Sequence, residues 1–283
     1  MNLKHPFVRH LSLLACIALI PIASAQSTFN LVADFSANKN PNGAWSFGWM
    51  ARGNSNFNLY PTHVAAYGLS LNEWHGPFQN DNGTSPPDVV SNPTDAPITV
   101  SDTTWLPHQI TFHPGPQGER SVIRWTAPVA GPASLVAVFE GRSGFATSGV
   151  EIYWNSTLLF SGAVAGTGAA SQISFATNLV LQVGDAVDFR VNYGNGNWAS
   201  DTTQIGVVIT PTPQPSLAMS SLTRSAARLA WPTNAPGYLL ESADQLPAGA
   251  WLPVTNPLIV LADKFTVTVS TTNQSQFFRL RKP

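Results

Sequence analysis

Cysteine is almost absent from this chain. The only one, Cys16, falls among the first 25 residues, so the remainder can form no disulfide and offers no thiol for nucleophilic or metal chemistry. Charge is also scarce. Asp, Glu, Lys and Arg make up 10% of 283 residues against 43% hydrophobic ones, and the formal net charge is −1. An average soluble domain carries about a quarter charged residues. No basic run is present to hold phosphates, which excludes the usual nucleic-acid binder. Long apolar runs are missing beyond the N-terminus, and from Gln26 to about Ile209 no window reads as an amphipathic helix. Catalytic motifs are missing too. Gly141-Arg142-Ser143-Gly144 has the wrong spacing for a nucleophile elbow, and His63, His75, His108 and His113 show no zinc-ligand spacing.

What is present begins with MNLKHPFVRHLSLLACIALIPIASAQ, a basic start, an apolar run from Leu11 to Ile22 and an Ala-Ser-Ala site before Gln26. This pattern reads as a secretory signal peptide over residues 1–25, too short for a membrane span. It predicts a secreted or cell-surface protein, a lipid anchor at Cys16 being the less favoured alternative. Short alternating runs then recur, among them Ser121 to Thr126, Ala133 to Phe139, Val150 to Trp154, Ala186 to Val191 and Gln204 to Ile209. Closely spaced strands with turn residues between them predict an all-β fold, a jelly-roll β-sandwich over residues 26–209. Alternate prolines in TPTPQPS predict an extended linker over 210–216. Residues 217–283 then read as a smaller immunoglobulin-like or fibronectin-like β-domain.

Aromatic residues supply the functional signal. Seven of the nine tryptophans, Trp45, Trp49, Trp74, Trp105, Trp125, Trp154 and Trp198, precede the linker. Indole stacks on the C–H faces of sugar rings while amides and guanidinium groups bond the hydroxyls. Two stretches join a tryptophan to such groups in apparent loops. One carries Asn72, Trp74 and His75, and the other Asn195, Asn197 and Trp198. Trp45 and Trp49, with Phe47 between, share one strand face and are assigned to the core. In FHPGPQGERSVIRWTAP, residues 112–128, Ile123 and Trp125 point to the core and Arg124 to the opposite face. There Arg124 either pairs with Glu119, Glu140 or Asp188 or offers its planar fork to a ligand.

The stretches ADFSANKNPNGAWSFGW, FHPGPQGERSVIRWTAPVAG, VEIYWNSTLLFSG and LQVGDAVDFRVNYGNGNWASDTT together resemble a β-sandwich module recurrent in exported proteins of planctomycete and verrucomicrobial bacteria. LAWPTNAPGYLLESADQLPAGAWLPV and QFFRLR are similar to a small β-domain that often ends such proteins. The resemblance implies an extracellular module similar to jelly-roll carbohydrate binders, and it brings no catalytic motif.

The favoured function is therefore noncatalytic recognition of a polysaccharide or envelope glycan, with Trp74, His75, Asn72, Trp198, Asn195, Asn197 and Arg124 as ligand-binding residues. The C-terminal domain is read as a spacer or a docking site for a protein partner. A structural or adhesive surface protein without a glycan site is the alternative, and a glycosidase or lyase the third reading, with Glu119, Glu140 and Glu151 as candidate acids. No cofactor is expected. Asn38 to Gly43 and Asn80 to Gly83 resemble turns of calcium loops without the carboxylates of an EF-hand, so a structural calcium drawing on Asp34, Asp185 or Asp201 stays open.

Overall fold

The computed structural model describes residues 28–77, 86–212, 215–223, 225–233, 237–271 and 275–282. The leader, Cys16, Phe78, the Asn80 to Gly83 turn and part of the proline segment lie outside them. The described chain is all-β, with two single-turn 3-10 helices at Ala66–Gly68 and Ala169–Ser171.

Up to Pro211 the strands are β1 (Phe29–Asn30), β2 (Trp45–Met50), β3 (Asn58–Leu59), β4 (Thr62–Ala65), β5 (Asn72–His75), β6 (Asp88–Asn92), β7 (Ile98–Val100) and β8 (Thr103–Trp105). They continue with β9 (Gln109–His113), β10 (Arg120–Thr126), β11 (Gly131–Gly141), β12 (Thr147–Trp154), β13 (Thr157–Ala165), β14 (Ile173–Leu181), β15 (Ala186–Asn192) and β16 (Thr203–Pro211). One sheet runs β14-β11-β16-β9-β6-β5-β4, with β1 also on β16, and the second runs β13-β12-β15-β10-β2-β3. Their inner faces share one core, in which Phe112, Leu135, Phe139 and Ile205 of the first sheet meet Phe47, Ile123, Trp125 and Phe189 of the second. The pleat of the strands produces this arrangement, because every second residue faces the opposing sheet.

The run read as a strand with a polar face is β10. Ile123 and Trp125 are buried opposite Phe47 and Trp45 of β2, and Arg124 stands on the outer face opposite Asp188 of β15. Asn155-Ser156 forms the two-residue turn between β12 and β13, with Asn155 at φ +53°. The expected linker begins later than the prolines suggest. Thr210 and Pro211 pair with Ser134 and Ala133 at the end of β16, and the N–H of Thr212 donates to the carbonyl of Pro132. Pro211 is tolerated there because a strand end does not need its missing N–H.

Beyond the prolines come β17 (Ala218–Thr223), β18 (Ala226–Pro232), β19 (Leu239–Ala243), β20 (Leu252–Pro253), β21 (Ile259–Leu261), β22 (Lys264–Ser270) and β23 (Phe277–Arg281). They form a four-stranded sheet, β17-β18-β22-β21, and a three-stranded one, β20-β19-β23. Leu229, Trp231, Val267 and Val269 of the first pack on Leu240, Phe278 and Leu280 of the second, a core separate from that of the larger sandwich.

Candidate functional site

Strands β5, β6 and β9 lie side by side in the larger sheet, and their register sets a polar row on its outer face. His75 pairs with Asp88, and Asp88 pairs with His113. Directly opposed residues share a face, so the three side chains stand in line across the sheet. The next row, Trp74, Val89 and Phe112, belongs to the inner face and the main core. The outer face here is covered. The β7–β8 hairpin and the 3-10 turn place Trp105 and Tyr67 over it, Trp105 packs with Ala66, Leu71 and Val90, and its Nε1–H donates to Thr111 Oγ1 at 2.9 Å.

Between this cover and the connection from β15 to β16 lies a concavity of about 190 Å³. Asp88, His113 and Thr111 contribute from the sheet, Asp102, Thr103 and Trp105 from the hairpin, and Trp198 and Ser200 from the connection. The volume falls below the roughly 300–1,000 Å³ of pockets that enclose drug-sized ligands, and suits a single small ring.

Each polar group in the concavity has a defined state. His113 Nδ1 lies 2.7 Å from the carbonyl of Pro114, a geometry that requires a proton on Nδ1 and leaves Nε2 as the acceptor. Burial pushes the His113 imidazole down to about 4, so it is neutral at physiological pH. The Trp198 ring meets His113 edge to face at 5.8 Å. Burial, and then the charge of Glu73, pushes the Asp88 carboxyl well above the ordinary carboxylate range. Asp102 is opposite in character. Burial tends to raise its carboxyl, but hydrogen bonds from Ser143, Ser200 and Thr103 outweigh that and hold it below its ordinary value. Asp102 of the hairpin turn is held by the Ser143 hydroxyl, and Ser200 of the β15–β16 connection, at φ +64°, lines the same concavity. The concavity thus combines an aromatic ring, a carboxylate, a neutral imidazole and hydroxyls, a set able to bond a polyol in both senses.

The connection bearing Trp198 is stiffened by its own asparagines. Asn192, Asn195 and Asn197 accept through Oδ1 from the backbone N–H of Gly194, Asn197 and Ala199, and the Gly196 N–H donates to the Tyr193 carbonyl. These Asx turns explain why an asparagine-rich segment holds one conformation.

The sequence-derived residues divide accordingly. Trp198 is half-buried and lines the concavity. Asn195 and Asn197 are exposed, and their carbonyl ends are engaged in shaping the connection. The assignment of Trp74 to a wet loop is corrected. It lies on β5, is 7% exposed, donates from Nε1 to the carbonyl of Ser36 at 2.8 Å and belongs to the core. Asn72 opens the same strand beside His63, and His75, also buried, directs Nδ1 at the carbonyl of Gly76. Arg124 is engaged with Asp188 through two hydrogen bonds, at 2.6 and 3.0 Å, and its guanidinium lies 4.2 Å from the centre of the Phe57 ring. Asp188 also accepts from Arg190 at 2.9 Å, so the ion pair takes up the fork that a ligand would need. Glu119 caps the Gln117 N–H, Glu140 pairs with Arg142, and Glu151 lies near Arg120.

Asp34, Asp185 and Asp201 stand in different turns. Asp34 accepts from the Asn30 N–H and Trp45 Nε1, Asp185 from the Gln182 N–H, Trp154 Nε1 and Asn155, and Asp201 from Thr147. Among the described residues no three His, Asp or Glu side chains cluster in a geometry that could hold a metal ion. Asp88, Asp102 and Ser200 were not singled out from sequence. Their meeting depends on register and on the fold of the hairpin, and the only local sign is a Ser-Asp pair in each of the two connections, at 101–102 and 200–201.

No protein family matches the sequence, and no curated protein matches it. Similar solved structures include carbohydrate-binding modules. One is a CBM51 module from Clostridium perfringens in complex with methyl-galactose, with TM-score 0.29 and 13% identity over 65% of this chain and 99% of that one. A CBM35 from Paenibacillus barcinonensis aligns with TM-score 0.24 and 16% identity over 37% of this chain and 78% of that one. The C-terminal CBM6 of a marine laminarinase from Zobellia galactanivorans gives TM-score 0.23 and 10% identity over 59% and 98%. Scores this low transfer nothing to the present chain.

Proposed function

We propose that the larger sandwich is an exported saccharide-binding module whose ligand ring enters the concavity beside Trp198. The observation that carries this reading is the placement of the half-buried Trp198 ring against a carboxylate, a neutral imidazole and hydroxyls. Stacking on indole supplies affinity, and Asp102, His113 and Ser200 supply direction to the sugar hydroxyls. A purely adhesive protein has no need of that combination. In this reading residues 1–25 are the export leader, and the C-terminal domain acts as a spacer or docks a protein partner.

Glycan-array binding followed by titration calorimetry tests it. Trp198→Ala is expected to weaken binding at least about tenfold with an unchanged fold, the loss of one good stacking contact. Wild-type protein retained by no glycan, or a Trp198→Ala variant binding as wild type does, contradicts it.

One observation favours a second reading, glycoside hydrolysis. Asp88 and Asp102 line the same concavity with their acidities displaced in opposite directions, the pattern of a general acid and its partner carboxylate. Binding is preferred because Asp88 is only 2% exposed and so has little surface to offer a scissile oxygen. Release of reducing ends from the bound glycan, abolished in Asp102→Asn, decides for the enzyme. Binding without release decides for the module.

A further inference from the structure

A second concavity, of about 180 Å³, is lined by Arg52, Gly118, Arg120, Asn192, Tyr193 and Gly194. Its two arginines differ from most others in the molecule. Arg124, Arg142, Arg190, Arg279 and Arg281 each hold a carboxylate within 3.0 Å. Among the described residues Arg52 forms no ion pair. Arg120 has only Glu151, at 3.6 Å, too far for a hydrogen bond, and its Nε is buried without a hydrogen-bond partner. Among the described residues neither guanidinium group is hydrogen-bonded to a carboxylate, since Glu119 of the same turn is engaged with the Gln117 N–H. In a chain with so few charges, two guanidinium groups with hydrogen-bonding capacity to spare line one concave place.

The geometry around Gly118 shows that the site is built. Gly118 has φ +95°, and a Cβ there would stand 2.8 Å from Arg52 Cδ and 2.9 Å from the Tyr193 hydroxyl. The missing side chain lets the stem of Arg52 and the phenol of Tyr193 close over the backbone. The Asn192 amide accepts the Gly194 N–H through Oδ1, leaving its NH₂ end as a further donor. Forked guanidinium groups, a phenol and an amide N–H form a donor set for a planar or tetrahedral oxyanion.

The two concavities share their connections. His113 opens the turn that ends at Gly118 and Arg120, and Tyr193 and Trp198 occupy one stretch between β15 and β16. Trp198 lies five positions after Tyr193, which limits their Cα separation to about 18 Å. We propose that the ligand is an acidic oligosaccharide, with one ring beside Trp198 and the carboxylate or sulfate of a nearby ring held by Arg52 and Arg120. This proposal rests on the saccharide reading of the Trp198 concavity.

Titration calorimetry on the full chain tests it with three probes: an oligogalacturonate, its neutral methyl ester, and a sulfated oligosaccharide of similar length. Arg52→Gln, Arg52→Lys and Trp198→Ala are measured beside wild type. Arg52 is exposed and unpaired, so its replacement leaves the fold intact, as circular dichroism will verify. Wild type is expected to prefer an acidic probe over the neutral one by about tenfold or more, with affinity falling as salt rises. Arg52→Gln should erase most of that preference and Arg52→Lys restore part of it, while Trp198→Ala weakens acidic and neutral probes alike. Preference for the ester-free or for the sulfated probe identifies the oxyanion. Equal binding of acidic and neutral probes, or a preference that survives in Arg52→Gln, overturns the oxyanion site and leaves the Trp198 site standing. Binding of none of the three overturns the acidic ligand, and the glycan array then judges the saccharide reading on its own.

Discussion

Asp201 and His113 respond to pH in opposite senses, and both respond because they are buried. Burial raises Asp201 from 3.8 to about 6, and Thr147 only partly offsets this by donating to Oδ1, while Oδ2 has no hydrogen-bond partner. Between pH 4 and 6 the folded protein keeps a proton on Asp201 that the unfolded chain has released, so this group's contribution to stability falls as pH rises through that window. His113, lowered from 6.5 to about 4, behaves oppositely. Below pH 6.5 the unfolded chain takes up a proton that the folded one refuses until pH 4, so stability falls on acidification. Each full shift corresponds to roughly 3 kcal/mol. Urea unfolding at pH 4.5 and 7 should find Asp201→Asn gaining on wild type as pH rises, and His113→Gln gaining on wild type as pH falls. Variant and wild-type curves that run parallel across this range refute the assignment. Asp188 offers a separate test, since it holds both Arg124 and Arg190. Asp188→Ala leaves two guanidinium groups without their carboxylate and should cost about 3–5 kcal/mol in the same assay.

At the level of elements, the central strands were readable because they are short runs rich in β-branched or aromatic side chains between turn residues. Strands β10, β11, β15 and β16 are of this kind, and the spacing of Ile123 and Trp125 places both on the face that is buried. Strand β5 was not readable. Asn-Glu-Trp-His has the composition of a loop, and all but Asn72 are buried, because one face meets the main core and the other is covered by the 3-10 turn and the β7–β8 hairpin. Periodicity cannot reveal a strand buried on both faces by distant segments. Trp74 was misplaced for this reason, and Trp74→Ala should cost about 3–5 kcal/mol as a core truncation. The placement of Trp198 in a loop was legible because the asparagines and glycines around it mark a turn-rich connection. Asp88 was not legible, because it meets His113 only through the pairing of β6 with β9. Gly118 tests the connection on the other side. At φ +95° and pressed against Arg52 and Tyr193, it should not accept a side chain, and Gly118→Ala should lower thermal stability while changing the environment of Tyr193, as seen in near-ultraviolet circular dichroism.

For the whole molecule, the two cores share no residue, and the prolines fall between them. Every residue lining the Trp198 concavity belongs to the larger sandwich, so a fragment comprising residues 26–212 should keep the glycan affinity of the full chain. The claim on which everything else depends concerns one ring. In a two-dimensional ¹H–¹⁵N spectrum, the tryptophan indole N–H signals, assigned by single Trp→Phe replacements, report which rings a saccharide approaches. Titration with the glycan that binds best should shift the Trp198 signal strongly and leave Trp74, hydrogen-bonded inside the core, unmoved. A Trp198 signal that stays in place while the protein binds sugar would place the site elsewhere and contradict the account.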